Sequence, residues 1–340
     1  MKAIYVFLLL TVTLSGGVQA QTAPPEQRAV ASVERIWDRA AHNAFTDLIL
    51  HNGKFYCAFR EGSGHIPGLN GTVRILASED GQNWRSAAHL ATPGVDLRDP
   101  KLSVMPDGRI MVVIGGSIYA GRQFLRRDPL VAFSDFSGDR FFAPQTIELP
   151  TGIGTETDWL WRLTWQAGIG YGVVYQPGES EHGLQLFRTR DGIHYEHITA
   201  LNVGGKPNET TLCFLPDQTM LALVRREGAD APGYLGQSPP PYTDWSWQSI
   251  GARLGGPNLI RLPDGRLLCA TRDYTGEEHK TILAFVTLDG GFEKAVTLPS
   301  GGDTSYPGLA VEDDILYVSY YSSHEGKSSI YLAKIWWGRL

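Results

Sequence analysis

Short apolar runs separated by polar turn residues recur along this chain, and no long helical stripe accompanies them. LILHNGKFYCAFREG, LSVMPDGRIMVVIGG, LTWQAGIGYGVVYQ, LCFLPDQTMLALVRRE, LIRLPDGRLLCATRD and LAVEDDILYVSYYSS each read as two strands around a tight turn. Asn-Gly and Asp-Gly between apolar runs signal hairpins, because glycine adopts the positive φ that such turns need. The turn positions, Gly53, Gly108, Gly168, Gln218, Gly265 and Asp314, fall 47 to 60 residues apart. Seven residues beyond them stand Arg60, Gly115, Tyr175, Arg225, Arg272 and Tyr321, so the units share an internal register. Six units of about 50 residues, each with room for four strands, predict an all-β, six-bladed β-propeller of four-stranded antiparallel blades. A two-sheet sandwich is the weaker alternative, since it does not require six matching hairpins at regular spacing.

The sixth unit ends in SSIYLAKIWWG, which supplies a third strand and no fourth. The N-terminal SVERIWDRA is expected to add that outer strand and remove the open edges of the ring. A short helix leading into the first blade is the alternative, and the strand is favoured.

Composition narrows the class. Residues 1–20 read as a secretory signal peptide: Lys2, an apolar run from Ile4 to Leu14, and Val18-Gln19-Ala20 before Gln21. The apolar run is short for a membrane span, and no second one follows. The expectation is a periplasmic or extracellular protein whose residues 21–340 form a single propeller domain, acting as a monomer. A net charge of −6 argues against a nucleic-acid partner, which would need a basic face. Cys57, Cys213 and Cys269 cannot all pair, and each sits in an apolar run, so they read as buried thiols. The histidines lack ligand-like spacing, and neither a metal nor a cofactor is expected.

SEDGQNW, from Ser78 to Trp84, follows the third strand of the first unit; TRDGIHY and TLDGGFE occupy the matching place in units three and five. Ser or Thr and Asp can hydrogen-bond the backbone of a turn in which glycine takes the left-handed angle. The carboxylates therefore read as structural. These turns join third to fourth strands and share a face with the hairpin turns, so chemistry is expected on the opposite face. There the segments opening each blade meet those following each second strand. They bring Thr46-Asp47, Arg98-Asp99, Asp158-Trp159 with Trp161 and Arg162, Asn208-Glu209, Pro257-Asn258 and Ser305-Tyr306 towards the channel. Arg60-Glu61, Arg225-Arg226-Glu227, Arg272-Asp273-Tyr274 and Tyr320-Tyr321 arrive from the second strands. Arg60, Arg225 and Arg272 hold one equivalent position. The guanidinium is a rigid donor fork suited to a carboxylate or sulfate. Arginine beside an acid also builds salt bridges between blades, and Trp159 and Trp161 can stack on a sugar or pack between blades.

The seven-residue turn resembles the Asp-box of sialidases and related propellers, one residue short in unit one. Across nearly all of the chain after its leader the pattern resembles the sialidase-like propellers. It is clearest in SYPGLAVEDDILYVSYYSSHEGKSSIYLAKI, where Tyr306 falls on the family's nucleophilic tyrosine. In PNETTLCFLPDQTMLALVRRE, Glu209 resembles the glutamate that activates the tyrosine, and Arg225 the second arginine of a carboxylate-binding triad. RDPKLSVMPDGRIMVV resembles the family's Asp-Pro strand opening. The family's first arginine belongs to an Arg-Ile-Pro triplet, and Phe45-Thr46-Asp47 stands in its place here. Arg60 or Arg98 is then the replacement, and Arg272 serves where the third arginine would fall near Lys280. The family's acid/base aspartate lies in the loop that here reads EGSGHIPGLNG, whose titratable residues are Glu61 and His65.

The resemblance implies an exo-acting glycoside hydrolase that releases a terminal acidic sugar from an oligosaccharide, polysaccharide or glycoconjugate. Tyr306 or Glu209 would be nucleophile or base, and Glu61, His65 or Asp99 the proton donor. Arg60, Arg98, Arg162, Arg225, Arg272 and Trp159 are the candidate substrate-binding residues. Two rivals stand beside it: a glycan-binding propeller without catalysis, and a polysaccharide lyase with Tyr306 or His65 as base.

Overall fold

In the computed structural model, residues 29–65, 71–150, 157–176, 183–227 and 231–340 are described. The expected leader, residues 1–20, lies outside them.

The strands form six antiparallel sheets of four, arranged as six blades. The innermost strands of blades 1 to 6 are His42–His51, Asp96–Val104, Trp159–Gln166, Pro207–Phe214, Asn258–Arg261 and Thr304–Glu312. The sixth blade is completed by Val30–Trp37, which pairs antiparallel with Ser329–Trp336. That settles the N-terminal segment as a strand. The reason is an edge: Ser329–Trp336 would otherwise present an unpaired row of backbone groups to solvent.

Among the described residues, six clusters of buried apolar side chains hold the ring, one between each pair of neighbouring blades. Between blades 6 and 1, for example, Phe55, Cys57 and Phe59 pack against Tyr317, Tyr321 and Leu332. The hairpin turns carry positive φ at Gly53, Gly108, Gly168, Gln218 and Gly265. In the sixth hairpin the left-handed residue is Asp313, one position before the expected Asp314. Cys57 and Cys269 are buried, Cys213 is half-buried, and all three are unpaired.

The turn around Ser78 is closed by its own side chains. Ser78 Oγ accepts the Gly81 N–H at 2.9 Å, and Asp80 Oδ1 accepts those of Gln82 and Asn83 at 2.8 Å. Thr189 and Asp191 repeat the arrangement with Gly192, Ile193 and His194. A Cβ on Gly81 would lie 2.9 Å from the Tyr317 ring, so the turn tucks against the preceding blade. Among the described residues no helix is long and apolar enough to cross a membrane.

Candidate active site

Five of the six innermost strands break register with their neighbour at the same point, on the side of the ring away from these turns. The irregularities take Phe45-Thr46, Asp99-Pro100, Trp161-Arg162, Asn208-Glu209 and Tyr306-Pro307 out of the ladder. Blade 5 reaches the equivalent point with Gly256-Pro257, just before its strand begins. A bulge bends its strand and re-aims a side chain. Here Phe45, Asp99 and Tyr306 hold left-handed φ of 64°, 46° and 53°. That conformation is unfavourable for residues other than glycine and clusters at functional sites.

Three of the side chains named from the sequence meet. Tyr306 Oη donates to Glu209 Oε1 at 2.6 Å. Arg225 Nη1 lies 2.6 Å from Glu209 Oε2 and 3.3 Å from Tyr306 Oη. Arg225 Nη2 pairs with Glu227, and the Gly256 N–H donates to Glu209 Oε2 at 3.0 Å. Burial raises the Tyr306 hydroxyl well above the ordinary phenol range, and the Glu209 charge adds to it. Burial works against the Arg225 charge, yet Glu209 and the neighbouring phenols outweigh it and hold the guanidinium protonated. The resting state is therefore a neutral phenol on a carboxylate, with a fixed cation beside both.

Aromatic rings wall this centre. Phe45, Trp161 and Tyr321 have ring centroids 5.2, 5.6 and 6.0 Å from that of Tyr306. Beneath, the buried Lys101 ammonium lies 5.4 Å from the Tyr306 ring and 4.7 Å from that of Trp161. Burial pushes Lys101 down to about 8.

Arg272 borders the same centre. It donates to Thr304 O at 2.6 Å and Tyr321 Oη at 3.2 Å, and lies 3.7 Å from Asp303 Oδ1. Asp303 in turn receives Tyr321 Oη at 2.8 Å, with His65 Nδ1 at 2.8 Å and His42 Nε2 at 3.3 Å from its second oxygen. Burial would raise the Asp303 carboxyl, but hydrogen bonds from His42, His65 and Tyr321 hold it far below the usual carboxylate range.

The remaining candidates are placed elsewhere or differently. Arg60 is fully buried and braces blade 1 to blade 2 through Asp96 Oδ1, at 2.9 and 2.8 Å. The Glu61 carboxylate faces away, accepting from Trp37 Nε1 at 2.7 Å and Arg74 at 2.8 Å. Arg162 spans the channel to the buried Asp47, at 2.9 and 2.8 Å from its two oxygens. Trp159 stacks on Tyr175 and carries the Arg127 guanidinium 4.2 Å above it. Arg98 lies over the Phe45 ring at 5.2 Å, where the resemblance places an arginine rather than a phenyl group. Lys280, near the expected third arginine, binds Ser300 O and Glu278 instead. Asp99 is buried, and its Oδ1 has no partner among the described residues. Burial raises its carboxyl, with Arg98 and Lys101 opposing.

Sequence reasoning missed His42, Asp303, Lys101 and Gly256. Asp303 lies only three positions before Tyr306, so proximity to the blade opening was a signal for it. His42 and Lys101 sit in apolar strands and had none.

No protein-family model and no curated protein sequence matches the chain. Solved structures do match it in shape. A protein of unknown function from Dyadobacter fermentans superposes with a TM-score of 0.77 at 19% identity, over 90% of this chain and 98% of that one. A Trypanosoma rangeli sialidase mutant displaying trans-sialidase activity gives 0.70 at 11% identity, over 92% of this chain and 60% of that one. An α-L-arabinanase from Penicillium chrysogenum, complexed with arabinobiose, gives 0.66 at 15% identity over 90% and 98% of the two chains. This chain thus spans about three fifths of the sialidase's length. The protein has the sialidase-like, six-bladed propeller fold.

Proposed function

We propose that the protein is an exported, exo-acting glycoside hydrolase that removes a terminal acidic sugar from an oligosaccharide, polysaccharide or glycoconjugate. One observation carries the reading: the Tyr306 hydroxyl donates to Glu209 at 2.6 Å with Arg225 against both. The glycoside hydrolases among the structural neighbours and the leader-like N-terminus support it. A sugar bearing a carboxylate at its anomeric carbon repels an anionic nucleophile, whereas a neutral phenol approaches without that penalty. Because burial disfavours a free tyrosinate, the proton passes to Glu209 as the phenolic oxygen attacks.

That attack forms the tyrosyl C–O bond and breaks the glycosidic one, whose oxygen takes a proton from the acid. Asp99 is our choice for this donor: its carboxyl is raised by burial and one oxygen is unpartnered. Water then cleaves the tyrosyl bond, Asp99 takes up the water's proton, and Glu209 returns the phenol's. The anomeric configuration is retained, with tyrosine in place of the usual carboxylate nucleophile. Arg225 and Arg272 hold the substrate carboxylate.

A panel of acidic oligosaccharides tests this by release of free monosaccharide. Tyr306→Phe and Glu209→Gln should each abolish release while the circular-dichroism spectrum stays unchanged; near-normal turnover in both sinks the assignment. Phe45, standing where the resemblance expects an arginine, favours a second reading as a glycan-binding propeller. Retained binding with no release across the panel would select it.

A further inference from the structure

We propose that His42, His65 and Asp303 form a binding site for a zinc-class divalent cation, separated from Tyr306 by the Phe45 ring. The three come from different parts of the chain: the first strand of blade 1, the loop after its second strand, and the segment opening blade 6. Their donor atoms nevertheless converge. His42 Nε2, His65 Nδ1 and a carboxylate oxygen of Asp303 lie within 4.8 Å of one another. Zinc bonds to imidazole nitrogen and carboxylate oxygen are about 2.0–2.2 Å long, which puts tetrahedral donor atoms about 3.3 Å apart. The two imidazole nitrogens already stand 3.3 and 2.8 Å from the same Asp303 oxygen.

The surroundings suit a three-ligand site. Tyr321 and Arg272 occupy the opposite oxygen, Oδ1, and leave Oδ2 to the cation. Such outer contacts orient a ligating carboxylate. The His65 and His42 rings meet edge to face with centroids 5.6 Å apart, and the Phe45 ring packs against His65 at 5.1 Å. These contacts fix the direction of both nitrogens. On binding, each imidazole presents a lone pair, so the proton now shared with Asp303 moves to the ring's other nitrogen or to solvent. His65 and Asp303 are partly exposed, with side chains 47% and 32% accessible, so the cation has a route in from solvent and solvent can fill a fourth position.

The site does not need the glycosidase reading to be true, because binding is read without turnover. The full-length protein, dialysed against chelator and then against metal-free buffer, is titrated with zinc chloride by calorimetry. One ion per chain is expected, with a dissociation constant below about 10 μM. His65→Ala and Asp303→Asn should weaken it about 100-fold or more. His65 is half-exposed, so its variant is expected to fold, and circular dichroism checks this. Tyr306→Phe should bind zinc as the wild type does, and so should His194→Ala, which removes an exposed histidine beside Asp191 and Glu148. No binding by the wild type overturns the site, as does binding that survives His65→Ala or is lost in His194→Ala.

Discussion

Glu209 of the fourth blade accepts the hydroxyl hydrogen of Tyr306 from the sixth, past Gly256 at the opening of the fifth. A Cβ on Gly256 would stand 2.8 Å from Cγ and Cδ2 of the Tyr306 ring. The same glycine donates its N–H to Glu209 and has a φ of 61°. Absence of a side chain in blade 5 therefore lets blades 4 and 6 meet.

Gly256→Ala should push the Tyr306 ring aside and strain its own backbone. An error of about 1 Å in placing a reacting group costs on the order of 100-fold in rate. The expected result is a fall of that size in kcat on an acidic oligosaccharide, with the far-ultraviolet spectrum retained. An unchanged kcat would show that the ring's placement does not matter.

Arg272 borders the tyrosine without touching Glu209, so its loss should act on binding. A hydrogen bond to a charged group is worth about 1.5–3 kcal/mol, which predicts a rise of about 10- to 100-fold in KM for Arg272→Met. A substrate whose carboxylate is converted to an amide should show little difference between wild type and variant. Equal losses on both substrates would exclude a carboxylate clamp.

Lys101 separates stability from activity. Its buried ammonium is pushed down to about 8, so below that pH the folded protein carries a buried charge that the unfolded chain holds at no such cost. In the unfolded chain a lysine keeps its proton to about pH 10.4. Wild-type stability should therefore rise as pH climbs from about 8 towards 10. Lys101→Met should be the more stable protein at neutral pH, by a few kcal/mol at most, with the gap closing in that alkaline window. It should also turn over more slowly, having lost the cation beneath Tyr306. Thermal midpoints at pH 7 and pH 10 with parallel kcat values check both halves.

Asp191 carries the opposite sign. Burial would raise it, but hydrogen bonds from His194, Ile193 and Thr189 lower it to about 2. Its stabilisation is present above the unfolded carboxyl's range near pH 4 and lost as pH falls towards 2. Asp191→Ala should cost no more than about 1 kcal/mol at pH 7, since the side chain is half-exposed and screened. Melting curves of the two proteins should converge near pH 2. A gap that persists there would assign the effect to lost packing rather than charge.

The repeat itself carried the architecture. Hairpin turns need particular residues, so Gly53, Gly108 and Gly265 announced their blades from local chemistry alone, and the alternating apolar runs announced the sheets. Glu209, Arg225 and Tyr306 were grouped by the resemblance to the sialidase-like propellers, and the repeat placed all three on the face where the blades open. The shared hairpin offset misjudged Arg60. It matches Arg225 and Arg272 in register, yet Asp96 of the next blade draws it into a buried pair. Glu61 was equally ambiguous, because nothing local says that Trp37 and Arg74 will take its carboxylate.

What the sequence by itself determined is the count of blades, their strand order and the face on which the blades open, all set by turn chemistry and hydrophobic period. Tertiary structure alone decided which charges gather around Tyr306 and which are taken up by each other. Asp96 takes Arg60, Asp47 takes Arg162, and Asp303 gathers two histidines and a tyrosine from three stretches of chain. Pairing across a ring depends on distances between residues far apart in the chain, 261 positions for His42 and Asp303, and no local pattern encodes these.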